Sequence, residues 1–292
     1  VTQVPLIDAH HHVWDLGVRD QGWITGAELA PLRRDFTLRD LAADTTAAGA
    51  EVEATVVVQT VTVAAETPEL LHLAAHPPAG AAPVAGVVGW TDLTDPAIED
   101  RLAALRELPG GDRLVGIRHQ VQGEPDPRWL LRPDVLRGLR AVAAAGLVHD
   151  LVILPRQLPA AVDAALAVPE LLFVLDHLGK PPVAAGTHAP WAADLCRLAS
   201  LPNTTAKLSG LVTEADWTSW TTADLRPYVE TALTEFGPDR LMFGSDWPVC
   251  TLAASYGEVL ASARELTAGL SSTERDAVFG ATATRVYGLG SG

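Results

Sequence analysis

Ile7-Asp8-Ala9-His10-His11-His12-Val13-Trp14 follows a short apolar run, Val4 to Ile7, that reads as a first buried strand. Residues two apart in a strand share a face. Alternation therefore predicts Asp8, His10 and His12 on one side and His11 on the other. Two imidazoles at the end of a strand form a ready pair of metal ligands, because neutral histidine nitrogen suits zinc and similar ions. The same rings without an ion are hydrogen-bond donors, and the stretch by itself leaves both roles open. A tag remnant would not follow a core-like strand and an acid.

Outward from that stretch, the chain alternates strand and helix. Trp14 to Phe36 reads as a long loop, a length that in compact domains usually signals function or disorder. Thr37-Leu38-Arg39-Asp40 is a capping box that opens a helix stopping at Gly49. Ala54 to Gln59 is a second apolar strand. Thr67-Pro68 opens the next helix, with Thr as cap and Pro at the first position. Further strands are expected at Val84–Trp90, Leu114–His119, Leu147–Leu154, Leu171–His177, Thr204–Gly210 and Leu241–Asp246. Helices are expected after Asp95, Pro133, Pro159, Ala189 and Asp224, and a last one behind the Ser271-x-x-Glu274 box. Fully apolar strands are covered on both faces, as in parallel sheets. Eight strand–helix units fit a closed (β/α)₈ TIM barrel, an α/β fold of about 250 residues plus insertions. A doubly wound open sheet would carry a Gly-rich phosphate loop after its first strand, where this chain has histidines. With no linker or low-complexity tract, residues 1–292 read as one domain.

Bulk properties narrow the partners. The formal charge of −15 over 292 residues disfavours nucleic acid and anionic membrane surfaces. Cys196 and Cys250 are too few for a disulfide framework, and neither a membrane-length apolar run nor a secretory leader is visible. A cytoplasmic protein acting on a small molecule is the expectation; composition does not address its oligomeric state.

Barrels of this kind place their active sites at the C-terminal ends of the strands. Those ends carry His10 and His12, Gln59, Trp90, Arg118 and His119, Arg156, His177, Ser209 and Asp246. Closure puts strand eight beside strand one and Asp246 beside the histidine pair. A carboxylate touching two imidazoles serves as metal ligand, general base, or each in turn. Set against this, Asp246 before Trp247-Pro248 reads as a turn cap, and His177 as a hydrogen-bonded core histidine. Alternation turns only one of Arg118 and His119 inward. His119, at the strand's end, is the expected one, with Arg118 either paired structurally or reaching the pocket. Arg156 is either a binding arm for an anionic or hydroxylated substrate or a solvated loop residue. Trp14, Trp90, Trp217 and Trp247 all follow strand ends and together suggest a ring-binding wall, although tryptophan is often core. His72, His76 and His188 read as surface residues. Cys250 follows strand eight, but no feature activates its thiol.

Asp8-x-His10-x-His12 and Gly244-Ser245-Asp246-Trp247-Pro248 resemble the amidohydrolase superfamily. Gly116 to Gln122, Leu175 to Pro181 and Lys207 to Leu211 narrow the resemblance to the branch of L-fuconolactonase, L-rhamnonolactonase and the pyrone dicarboxylate lactonase. The resemblance spans essentially the whole chain. It implies a barrel that opens a lactone, the sugar lactones looking closest, with Asp246 and His177 catalytic and His10, His12 and Asp246, helped by His177, around one divalent ion, zinc before others. Arg118, His119, Arg156, Trp90 and Trp14 are then the substrate-binding set. Many metal-dependent members also place a ligand histidine at the end of strand five. Here that end reads Ile153-Leu154-Pro155, with His149 too early, and within the branch metal dependence varies. A dicarboxylate would demand more arginines than the two near strand ends. The competing expectations are a decarboxylase on the same scaffold and a non-catalytic barrel binding a sugar acid or a metal.

Overall fold

Eight parallel strands pair in chain order: β1 (Leu6–His11), β2 (Val52–Val58), β3 (Val84–Gly89), β4 (Leu114–His119), β5 (Val148–Leu151), β6 (Phe173–Leu175), β7 (Thr204–Leu208) and β8 (Leu241–Phe243). The computed structural model describes residues 6–290, so Val4 and Pro5, expected to begin the first strand, lie outside the described residues. β8 returns to β1 through Asp246 N–H to the His10 carbonyl at 2.8 Å and His12 N–H to the Trp247 carbonyl at 2.7 Å. The Asp8 carboxylate accepts from Ser245 N–H at 2.9 Å and so helps to hold the seam. The architecture is the (β/α)₈ barrel expected.

Around the sheet lie α1 (Leu38–Ala47), α2 (Glu66–Ala75), α3 (Ile98–Arg106), α4 (Pro133–Ala144), α5 (Leu158–Ala167), α6 (Ala189–Ala199), the single turn α7 (Leu211–Glu214), α8 (Thr222–Phe236), α9 (Tyr256–Leu266), α10 (Ser272–Asp276) and α11 (Thr282–Tyr287). None is long and apolar enough to cross a membrane. The capping boxes at Thr37/Asp40 and Ser271/Glu274 form as expected. Thr67 does not cap α2, which starts at Glu66. Its hydroxyl instead exchanges hydrogen bonds with both backbone groups of Trp90, so tertiary contact has claimed a side chain that local chemistry assigned to a cap.

Core residues divide between two faces. Ile7, Ala9, Val56, Val58, Val88, Val148, Val174 and Met242 fill the barrel interior, plugged at one end by Ala283, Val286, Tyr287 and Leu289. Strand residues such as Val57, Ile117, Leu151 and Phe173 face outward into the larger core beneath the helices. β1 breaks its own alternation. Asp8 pairs with Thr55 and His11 with Val57, three steps against two, which is a β-bulge. Bulges commonly re-aim side chains beside active sites. Here Asp8 faces outward, lining a small cavity with Leu38, Leu41 and Thr45 of α1, while His10 turns into the barrel. The expected single face of Asp8, His10 and His12 is therefore corrected: Asp8 leaves it and the two histidines stay.

Candidate active site

The carboxylate of Asp246 is the hub at the mouth. Its Oδ1 lies 3.5 Å from His12 Nε2, 3.7 Å from His10 Nε2 and 3.8 Å from His177 Nε2. Asp246 and His177 both sit in the left-handed region, with φ of 57° and 54°. Such backbone in a non-glycine residue is held only by surrounding structure and clusters at functional sites. Each residue leaves its strand early, as β6 and β8 stop short of their expected ends, and this turn aims the side chain at the centre.

Two glycines make the approach possible. A Cβ at Gly244 would stand 2.6 Å from His10 Cβ, and one at Gly210 only 2.5 Å from His177 Nδ1. Gly210 also has a φ of 64°, which favours glycine. The glycines of Gly244-Ser245-Asp246 and Ser209-Gly210 therefore have a steric reason.

All four central side chains are buried. Burial lowers the His177 pKa to about 4. Burial, and after it the charge of Lys207, holds His10 well below its ordinary value. Burial alone would raise the Asp246 pKa, but the ring nitrogens of His177, His12 and His10 turned toward it outweigh that and keep it below the carboxylate range. At neutral pH the centre is an ionised carboxylate facing uncharged His10 and His177 rings.

Beneath the histidines lies a polar layer. Lys207 Nζ donates to Asp150 Oδ2 at 2.6 Å and to His10 Nδ1 at 3.1 Å, and Tyr287 donates to the same aspartate. Arg118 Nη1 donates to Asp176 Oδ2 at 2.9 Å and approaches His10 Nε2 at 3.5 Å, while Nε binds Gln59 Oε1 at 2.9 Å. Arg118, rather than His119, is thus the inward member of the pair. Lys207 and Asp150 were not among the residues expected at the site. Their signal is legible: a lone lysine or aspartate inside an apolar strand is almost never fully buried unless paired.

His119 is committed at the rim. Its Nδ1 accepts from Trp90 Nε1 at 3.1 Å, so Nε2 carries the proton and donates to Glu124 Oε1 at 2.8 Å. Its ring stacks on Trp129 at 4.1 Å and 10°. No nitrogen of His119 remains for a substrate, and Glu124 is the open group of the cluster. Arg156 is exposed and reaches only the Glu124 carbonyl, at 3.4 Å.

The four-tryptophan wall does not form. Trp14 is buried against Trp23 and Phe36, and its Nε1 donates to the Arg34 carbonyl. Trp247 is fully buried and donates to Asp44. Trp217 lines a cleft with Trp220 beside Glu258 and Ser262 of α9. Apolar bodies were drawn into the packing around the long loops, Trp129 among them, leaving half-buried Trp90 as the aromatic at the rim.

The donor set fits a divalent ion. His10, His177 and Asp246 each offer a ligand atom, all within 4.8 Å of one another. His12 Nδ1 donates to the Val58 carbonyl at 2.7 Å, and His177 Nδ1 meets Ser209 Oγ at 2.8 Å. Such outer contacts fix ring orientation and leave Nε2 facing the centre. The compact trio contains His10, Asp246 and the assisting His177 of the expected set. His12 lies at its edge, 3.1 Å from His10 Nε2.

A (β/α)₈ barrel with three histidines converging on one strand-eight aspartate defines the amidohydrolase class of active site. The sequence pattern of the amidohydrolase family matches residues 7–289, and the chain belongs to that family. It is 42% identical to an L-fucono-1,5-lactonase of Burkholderia multivorans, over 97% of this chain and 96% of the other. It is 37% identical to an L-fucono-1,5-lactonase of Burkholderia ambifaria, over 86% and 83%. The crystal structure of a Burkholderia multivorans amidohydrolase with bound zinc superposes with a TM-score of 0.89 at 40% identity, covering 98% of this chain and 100% of that one.

Proposed function

We propose that this enzyme hydrolyses a sugar-derived lactone of the L-fucono type, with L-rhamnono-type lactones next, to the aldonic acid. The observation that carries the reading is the Asp246 carboxylate with three imidazole nitrogens within 3.8 Å of one oxygen. Lactone opening needs a base for water, donors for the oxyanion and a proton for the leaving ring oxygen. Asp246 takes a proton from water as the water oxygen bonds to the carbonyl carbon. Arg118 and the ring N–H groups of His10 and His177 stabilise the charge that develops on the carbonyl oxygen, while His12 keeps its N–H on the Val58 carbonyl. Collapse of the tetrahedral adduct breaks the bond from carbonyl carbon to ring oxygen. Asp246 returns its proton to that oxygen, leaving a free hydroxyl and a carboxylic acid.

Zinc is the proposed ion; Asp246 and His177 would hold it, with His10 joining them once its Nε2 gives up its proton. When bound it would polarise the carbonyl and make water more acidic. Substrate hydroxyls are proposed to meet Glu124 and Arg156, with Trp90 as the apolar wall. The Glu124 carboxylate also disfavours a dicarboxylate at that side of the mouth. A pH-indicator assay across aldonolactones tests the reading. Acid release from L-fucono-1,5-lactone ahead of D-galactono-type lactones is expected. Turnover of none of them, with carbon dioxide released from an unsaturated acid, would transfer the site to a decarboxylase.

A further inference from the structure

We infer that Lys207 is a positioning residue that fixes the tautomer of His10, placing its proton on Nε2 and so opposing metal ligation by that nitrogen. A neutral imidazole carries one N–H, and an ammonium can only donate. Lys207 Nζ stands 3.1 Å from His10 Nδ1 in hydrogen-bond alignment. Asp176 Oδ1 is 3.3 Å from Nδ1 but makes no aligned hydrogen bond with it, and lies 3.1 Å from Lys207 Nζ as its ion-pair partner. Nδ1 therefore accepts, and the proton belongs on Nε2.

The other side of the ring agrees. His12 gives its Nδ1 proton to the Val58 carbonyl, so in its neutral form its Nε2 is an acceptor, 3.1 Å from His10 Nε2. Lys207 to His10 to His12 to Val58 then forms one directional chain with every donor matched to an acceptor. The opposite tautomer would set a proton against Lys207 and two lone pairs against each other at 3.1 Å. It would gain the 3.5 Å contact from Arg118 Nη1 and an unaligned 3.3 Å approach of Nδ1–H to Asp176 Oδ1. Two aligned contacts at 3.1 Å outweigh one at 3.5 Å and one without alignment.

The same geometry bears on the ion. For His10 Nε2 to ligate, its proton must move to Nδ1, turn from Lys207 and find Asp176 Oδ1. Lys207 thereby tunes the centre toward a hydrogen-bond donor at His10 and away from tight metal binding. Lys207 itself is held by Asp150 at 2.6 Å and Asp176 at 3.1 Å, and Asp150 by Tyr287, so the bias is built from β5, the end of β6, β7 and α11. The inference rests on His10 belonging to the reaction centre proposed above, but a tautomer can be read without any turnover, so the two readings fail separately.

The test is long-range ¹⁵N–¹H correlation on metal-free, ¹⁵N-histidine-labelled full chain, with His10 assigned by comparison with His10→Gln. A protonated Nε2 and a bare Nδ1 are expected at His10; a protonated Nδ1 overturns the proposal. The second arm removes the cation together with one carboxylate, in Lys207→Met/Asp150→Asn. We expect His10 to switch to the Nδ1–H form, and calorimetric zinc affinity to tighten on the order of 10–100-fold, the scale of outer-contact effects on metal sites. A folded double variant with unchanged tautomer and unchanged zinc affinity would equally overturn it. If the double variant does not fold, the wild-type spectrum still decides.

Discussion

His10 and His11 are neighbours on one strand, both fully buried, and they meet opposite fates. His10 turns into the barrel, where Lys207, His12 and Arg118 engage its two nitrogens. His11 turns out toward the helices, and neither of its ring nitrogens has a hydrogen-bond partner. β5 repeats the contrast. Asp150 faces inward to Lys207 and Tyr287, while His149 faces outward against Phe173 with both nitrogens unpartnered. Residue type alone thus says little about function in this barrel; the face decides. Inward polar groups form a connected layer that ends at Asp246. Outward histidines are packing elements kept neutral by burial, which lowers the pKa of each to about 3.

The largest effect should come from the end of the inward layer. Asp246→Asn keeps the shape and removes the base, so kcat is expected to fall about 10²–10⁴-fold with an unchanged unfolding midpoint. Near-normal turnover in a folded variant would take Asp246 out of the proton transfers.

Gly210→Ala probes the same face through sterics alone. Its Cβ would meet His177 Nδ1 at 2.5 Å, at a position with φ of 64°. Displacement of a catalytic group by about 1 Å can cost ~10²-fold, and a kcat loss of that order is expected, read by steady-state kinetics on the lactone.

The outward face should answer to pH rather than to substrate. His149 has a folded pKa of about 3 against an ordinary 6.5. The unfolded chain binds the proton more readily, so this stability is fully present above pH 6.5 and is lost as pH falls from 6.5 toward 3. Between pH 7.5 and 5.5 the loss is about 1.4 kcal/mol for this histidine. His149→Leu should abolish that increment in denaturant titrations at the two pH values while leaving kcat unchanged at pH 7.5. An identical pH slope in variant and wild type would show that His149 does not carry it.

The smallest effect is expected at the rim. Glu124→Gln keeps a hydrogen-bonding group but removes the charge, a difference of about 1 kcal/mol. KM should rise roughly fivefold with kcat nearly constant, measured on the lactone that turns over best.

Much of this organisation is legible in the sequence, for identifiable reasons. Apolar β-branched runs and capping boxes mark the strands and α1, and polar residues closing those runs mark the mouth. Ser255-x-x-Glu258 is an equally clear box for α9, which was not among the expected helices. The bulge in β1 is not legible, because an inserted residue leaves no trace in a run that reads Asp-Ala-His-His-His. Arg118 and His119 differ by one residue, and the inward one is decided by Asp176 and Gln59 on other strands. Their positions after strands suggest that the tryptophans form a wall. Trp14 and Trp247 are instead held inside by Phe36 and Asp44, both distant in sequence.

The most direct measurement is a paired one: kcat for lactone hydrolysis by His10→Leu and His11→Leu, at pH 8 and at a temperature where both are folded. If the face decides, His10→Leu should lose at least ~10²-fold, while His11→Leu stays within about twofold of wild type. Equal losses in the two variants would contradict the division of the barrel into a reacting inner face and a packing outer one.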